Sequence, residues 1–503
     1  MRLPFPERIS LVSVFYFAAL LCAIQQFQGT NSTFSLCCFF YILVAAIAFN
    51  VAGGFTRTTG AFIFFNSVLG VIIGLCMKAY LSEPADSNLQ SPVLTMSIYL
   101  AGMFMMLVAA FLSRKVATKR ALLGKMVTDV NMQTSTVGCM VTGLLLYFSS
   151  SYVTGGNGTV WSALNQLNRF LPMAIMLGTL NTIRRSRGTR SLNLPVLLSA
   201  SFMFINGVLN FSKEAMFTPF ICWLLVASSQ RLRVSRSQLF SIGLVTFIIF
   251  YYLVPYSQYG RSFKEESGGI NVQTSLSLLS NLGYVREQYY ESASDNYDDR
   301  IAGYFNTPQG FFDRLEMIGI DDALDNHTKQ FGTFGIQPVI QSFENVVPHF
   351  IWPDKPALLT GNTYAHEVGL LGPEDTSTGV SFSSTAVAFH LIGWEGVFLL
   401  APFLWFLMFA VFESLCGDVR KSPWGLLIMV LYAHAAPEGD LNSIIYMTFF
   451  AAFGIVFAAV MGAYVMPVIG TFLIGPEGIA LRRGRPIRSM HGRLLPPIRP
   501  SEG

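Results

Sequence analysis

Runs of apolar residues, most of them close to twenty long, recur from one end of this 503-residue chain to the other. A helix needs about 20 such residues to cross the hydrocarbon core of a bilayer. Only helices and closed barrels satisfy every backbone N–H and C=O there, and runs of this length are helices rather than barrel strands. The composition agrees, because 52% hydrophobic and 12% charged residues leave too little polar surface to cover a soluble globule. The chain is expected to be an all-α polytopic integral membrane protein with about twelve transmembrane helices. They fall at 9–27, 33–52, 61–80, 93–113, 135–152, 163–182, 193–210, 214–230, 238–256, 386–416, 424–437 and 441–466. The first run has no small-residue cleavage pattern after it and is taken as a retained span.

Charge assigns the sides. With the N-terminus cytoplasmic, the inner segments and the C-terminal tail hold 23 of the 33 Lys and Arg residues, among them Arg114, Lys115, Arg184, Arg185, Arg231 and Arg233. That excess of basic residues on one side predicts a multi-pass protein with both termini inside and the long polar interval outside. The chain then divides into an N-terminal bundle of about nine spans (1–256), a large extracytoplasmic loop (257–385), C-terminal transmembrane helices (386–466) and a cytoplasmic tail without fixed structure (467–503).

The loop is the one long polar interval. Its lysines and arginines are interspersed with many carboxylates, so it lacks the basic patch that nucleic acid requires. Short helices are expected at 274–282, 309–318 and within 332–350, with 287–300 as loop. Pro348, Pro353 and Pro356 prevent a continuous helix beyond that point and leave a rigid, extended cap. Two places are ambiguous. Those at 193–210 and 214–230 meet at Asn210 to Glu214, as either a tight hairpin or broken helices, and 386–416 exceeds one crossing, so its part before Trp394 is expected along the outer surface.

All seven cysteines lie in or beside apolar runs, which implies no disulfide framework. No P-loop, dinucleotide fingerprint, HExxH or Gly-x-Ser-x-Gly motif is present, so neither ATP nor zinc is expected, and no other cofactor. His349, His366 and His390 are spaced too widely for a helical metal pair. What remains near the outer face is a set of cations and a few bases. Lys213 interrupts an apolar stretch, where an ammonium needs an anion or a water-filled cavity. Arg261 closely follows a span, and Arg300 and Arg314 flank the aromatic pairs Tyr304-Phe305 and Phe311-Phe312. A guanidinium meets phosphate oxygens bidentately and keeps its charge, so arginines at a membrane mouth suit a diphosphate, although charged loop residues also pair simply with neighbouring carboxylates. His349 and Glu395 are candidate bases, with packed or solvated roles as the alternative.

Three stretches carry a resemblance. Gly207 to Lys213 resembles a small-residue plus cation motif, with Lys213 where Arg is more usual. Val347 to Pro356 is similar to a proline-framed block near the end of a large outer loop, with His349 where Arg is common. Thr376 to Val380, followed by Phe389 to Val397, resembles the segment leading into the next span. The family with these features is the oligosaccharide repeat-unit polymerases of bacterial envelopes, of the O-antigen polymerase type, related in architecture to O-antigen ligases. The resemblance implies a membrane glycosyltransferase that needs no metal and acts at the outer leaflet. It would join polyprenyl-diphosphate-linked oligosaccharide units into a surface polysaccharide. Lys213, Arg261, Arg300, Arg314 and Lys355 would hold the diphosphate, His349 and Glu395 would be catalytic, and Trp352 and Tyr304 would stack on sugars. Flippase and chain-length regulator proteins are the implied protein partners. A ligase shares this cation logic, and a transporter of lipid-linked sugars would show inverted repeats.

Overall fold

The computed structural model describes residues 1–124, 126, 129, 131–150, 168–267, 272–295, 303–347, 351–352, 355, 359–376 and 378–483. Among these the fold is all-helical, and the single β-bridge joins Arg2 to Arg233. Six helices are long and apolar enough to cross a membrane: α2 (Ser32–Ala52), α3 (Thr58–Tyr80), α4 (Pro92–Val116), α9 (Arg236–Arg261), α16 (Gly396–Cys416) and α18 (Leu441–Ile474). Other expected spans form helices too: α1 (Leu11–Phe27), α5 (Met132–Ser150), α6 (Phe170–Arg185), α7 (Leu194–Leu209), α8 (Lys213–Ser229) and α17 (Pro423–Glu438). The polar interval contributes α10 (Val272–Ser280), α11 (Leu282–Asp295), α12 (Ile318–Phe331), α13 (Gln337–Val346) and α14 (Thr360–Glu367), and α15 (Ser384–Ile392) follows.

The helices start where the chain supplies an acceptor for the free N–H groups of a first turn. Asn31 caps α2 through the Thr33 and Phe34 amides, Asn193 caps α7, Ser212 caps α8 and Ser383 caps α15. Ser235 and Gln238 form a reciprocal capping box at α9. Packing then depends on small residues, since in lipid the apolar side chains alone give no preference for helix over hydrocarbon. Helices α5 and α18 cross almost backbone to backbone. A Cβ on Gly138 would lie 2.1 Å from the Met466 carbonyl oxygen, and one on Gly470 would lie 2.0 Å from that of Thr134. Ser135 Oγ adds a 2.7 Å bond to the Gly462 carbonyl at the same crossing. The seven cysteines are free.

Several expectations are corrected. The helix that follows Asp440 does not end near residue 466 but continues to Arg483, so the first part of the expected unstructured tail is helical. The 386–416 run is two helices, broken at Gly393, whose φ of +65° is strained for any residue with a Cβ. The 287–300 stretch is not all loop, because α11 extends to Asp295, and the helix expected at 309–318 is a single 3₁₀ turn, Phe312–Arg314. The ambiguity at Asn210 resolves to a tight hairpin. Phe211 takes a positive φ of 52° in the turn, and α7 returns against α8 so closely that a Cβ on Gly207 would stand 2.6 Å from the Met216 nitrogen. That hairpin, α9 and α11 share a small core of their own, made by Val208, Phe211, Met216, Ile249, Leu253, Tyr256 and Val285.

Candidate functional site

The polar interval's most deeply buried element is α12, and its sequence explains the contradiction. Ile318, Ala323 and Leu324 bury an apolar face, while Asp321, Asp322 and Asp325 are buried with them. Two of these carboxylates have partners. Asp322 accepts from the Ser91 amide at 3.0 Å and from the Thr95 hydroxyl at 3.0 Å, and also from the Gln90 amide, so it caps the N-terminus of α4 from across the fold. Asp321 accepts from the Ser383 amide at 3.0 Å and from the Tyr99 hydroxyl. Burial pushes Asp321 up to about 6 against those bonds. Neither oxygen of Asp325 has a hydrogen-bond partner among the described residues, and burial, then Asp321 and Asp322, hold its carboxyl well above the usual range. The protonated acid is the form such a site tolerates.

One turn further along α12, His327 meets two residues from other helices. Ligand atoms of His327, Glu367 of α14 and His390 of α15 all lie within 4.8 Å of one another. Nε2 of His390 stands 3.1 Å from a Glu367 carboxylate oxygen. The other ring nitrogen, Nδ1, is 2.8 Å from the Thr328 hydroxyl, which in turn is 2.8 Å from the Leu324 carbonyl. The α12 end is fixed against α15 by the Phe334 and Gly335 amides, which donate to the His390 and Leu391 carbonyls. Phe334 and Tyr364 wall the His390 ring at centroid distances of 5.5 and 5.0 Å. The sequence grouped His390 with His349 and His366; the fold groups it instead with His327 and Glu367.

The expected cation site divides. Lys213 is half-buried at the first position of α8, and Arg261 is exposed near the end of α9. Their neighbours touch: a Cβ on Gly260 would lie 2.1 Å from the Phe211 ring. The two cations therefore flank one contact although 48 positions separate them in sequence. Arg286 of α11 lies with its guanidinium over the Tyr251 and Tyr290 rings at 3.9 and 4.9 Å. Phe311 stacks on Phe250 at 4.1 Å and lies 6.1 Å from Phe217, which brings the 3₁₀ turn bearing Arg314 against the middle of α9 and the second turn of α8. The side chain of Arg314 lies outside the described set, as do Arg300 and His349 entirely.

Other expected site residues have structural duties. Tyr304 is 1% exposed, its hydroxyl donates to the Ala85 carbonyl at 2.7 Å, and its ring lies 5.0 Å from the buried Lys78 ammonium, so it offers no face to a sugar. Lys355 is also buried, and its ammonium donates to the Asn345 and Val347 carbonyls at 2.9 and 2.7 Å, closing the C-terminal end of α13 rather than awaiting a phosphate. Trp352 is 40% exposed, and Glu395 is exposed in the break between α15 and α16. Sequence reasoning passed over α12. Its signal was the i, i+4 pairs Asp321/Asp325 and Asp322/Asn326 within an apolar helical period, which place polar groups on the inward face. Compared with known protein families, curated proteins and solved structures, this chain matches none significantly.

Proposed function

We propose that this chain polymerises polyprenyl-diphosphate-linked oligosaccharide repeat units into a surface polysaccharide, by glycosyl transfer at the outer leaflet of a bacterial inner membrane. The Phe211–Gly260 contact, which joins the turn just before Lys213 to the helix residue just before Arg261, carries the proposal. It is supported by the resemblance of the Gly207 to Lys213 stretch, which forms the turn at that place. In this arrangement about twelve spans place the 257–385 loop outside, over the hairpin end.

The task is to stabilise a leaving diphosphate and to hold an acceptor hydroxyl in line with it. The acceptor oxygen forms a bond to the donor's anomeric carbon as the bond from that carbon to the phosphate oxygen breaks. The hydroxyl proton passes to a base, and the carrier leaves as its diphosphate. Lys213 at a helix N-terminus and the fixed charge of Arg261 suit the leaving group, with Arg314 and Arg300 completing the set. Glu395 and His349 are the candidate bases. Substituting Lys213→Ala or Arg261→Ala and measuring glycan chain length in cells tests this directly. Short chains at normal protein level are expected; unchanged long chains would remove the pair from the site. In a deletion strain, single-repeat glycan on the final acceptor supports a polymerase, whereas long carrier-linked glycan would identify a ligase.

A further inference from the structure

The meeting of His327, Glu367 and His390 has no role in glycosyl transfer as proposed above, and its geometry poses a separate problem. Among the described residues, Thr328 meets Nδ1 of His390 and Glu367 faces Nε2. The Thr328 hydroxyl lies at hydrogen-bond distance from the Leu324 carbonyl, an acceptor that cannot donate in return. With the hydroxyl hydrogen donated there, the Thr328 oxygen is left to accept from Nδ1–H of His390 at 2.8 Å, the tautomer that frees Nε2. Nε2 of His390 then carries a lone pair, and it faces a carboxylate oxygen only 3.1 Å away. Nε2 of His390, Oε2 of Glu367 and Nδ1 of His327 are all buried without a hydrogen-bond partner among the described residues. The His390 lone pair and the Glu367 carboxylate, with His327 Nδ1 beside them, repel one another unless something positive sits between them.

We propose that His327, Glu367 and His390 bind one divalent transition-metal ion of the zinc class. Two imidazoles and one carboxylate match that borderline-soft ion. Bonds of about 2.0–2.2 Å put neighbouring ligand atoms about 3.3–3.6 Å apart in a tetrahedron. The His390–Glu367 pair already stands at 3.1 Å, and the third donor lies within 4.8 Å. The Thr328 hydroxyl is the outer partner that orients such a histidine and selects its metal-binding tautomer. Three protein donors leave a coordination position for water or a substrate oxygen. The ion would tie α12 and α14 to α15, the helix that leads into α16.

The test uses full-length protein purified in detergent, with any affinity tag removed and bound metal stripped by a chelator. Zn²⁺ is titrated against a chromophoric competitor, and Co²⁺ serves as a spectroscopic probe. One equivalent of Zn²⁺ is expected, together with intense visible cobalt bands from a tetrahedral site. H390A should abolish that equivalent. H327A, at the less buried ligand, and the isosteric E367Q should weaken it by roughly 100-fold or more, and T328V by about 10- to 100-fold. H366A, outside the cluster, should leave it unchanged. Failure of the wild type to hold zinc would overturn the site and leave the three donors sharing a proton. Binding that survives E367Q and H327A in folded protein would equally overturn it.

Discussion

Asp322 caps a helix that begins 231 positions earlier in the chain: its carboxylate accepts the Ser91 amide at 3.0 Å, next to the Gln90 amide and the Thr95 hydroxyl. The loop helix α12 is thereby fixed to the end of α4, and through Asp321 to the cap of α15. Replacing Asp322 by Ala leaves three donors without that acceptor in a buried place. The expected loss is about 2–4 kcal/mol, seen as a lower melting temperature of the detergent-solubilised protein. Asp322→Asn keeps one acceptor oxygen and should lose less. Equal melting of wild type and Asp322→Ala would show that the cap is not needed.

Gly260 is the second sensitive position. Any side chain there meets the Phe211 ring, because even a Cβ would come within 2.1 Å. Gly260→Val should separate α9 from the hairpin turn and so part Lys213 from Arg261. Shortened glycan and a lower melting temperature are expected, the clash costing about 1–3 kcal/mol; Gly260→Val with full-length glycan and wild-type melting would count against both the contact and the site beside it.

Glu316 sets a pH dependence. It is buried, packed against α3 at Gly74, and accepts the Gly319 amide at 3.1 Å. Burial outweighs that bond and pushes its carboxyl up to about 8 from an ordinary value of 4.5. The folded chain therefore holds a proton that the unfolded chain releases between those values. Stability contributed by this group is greatest at low pH and falls as pH rises through the window from 4.5 to about 8, by about 1.4 kcal/mol per unit inside it. Glu316→Gln should flatten that slope. Identical pH profiles for the two proteins would show that Glu316 does not titrate in this range.

Much of the architecture was legible because a transmembrane helix is a local object. It satisfies its own backbone, so an apolar run near twenty residues long declares it without reference to the rest of the fold. The interruption at Asn210 was visible for the same reason, although not whether it made a hairpin or broken helices, and so was the excess length of 386–416, with a division expected at Trp394 beside the break at Gly393. The candidate site was harder to read. Lys213 and Arg261 stood out as charges beside apolar stretches, and the fold brings their neighbours into contact. Tyr304 and Lys355 stood out too, yet one is core and the other closes a helix end.

The sequence by itself determined the helical membrane class, most helix positions and the residue types able to serve an anionic substrate, since each depends on a short window of chain. Only the tertiary structure decided that an acidic helix would turn inward and that His390 would face His327 and Glu367. Those outcomes depend on segments tens to hundreds of residues apart closing on one another. A buried carboxylate or a pair of facing lone pairs leaves no periodic trace in the segments that supply it, and acquires its chemistry only when other helices have removed the water around it.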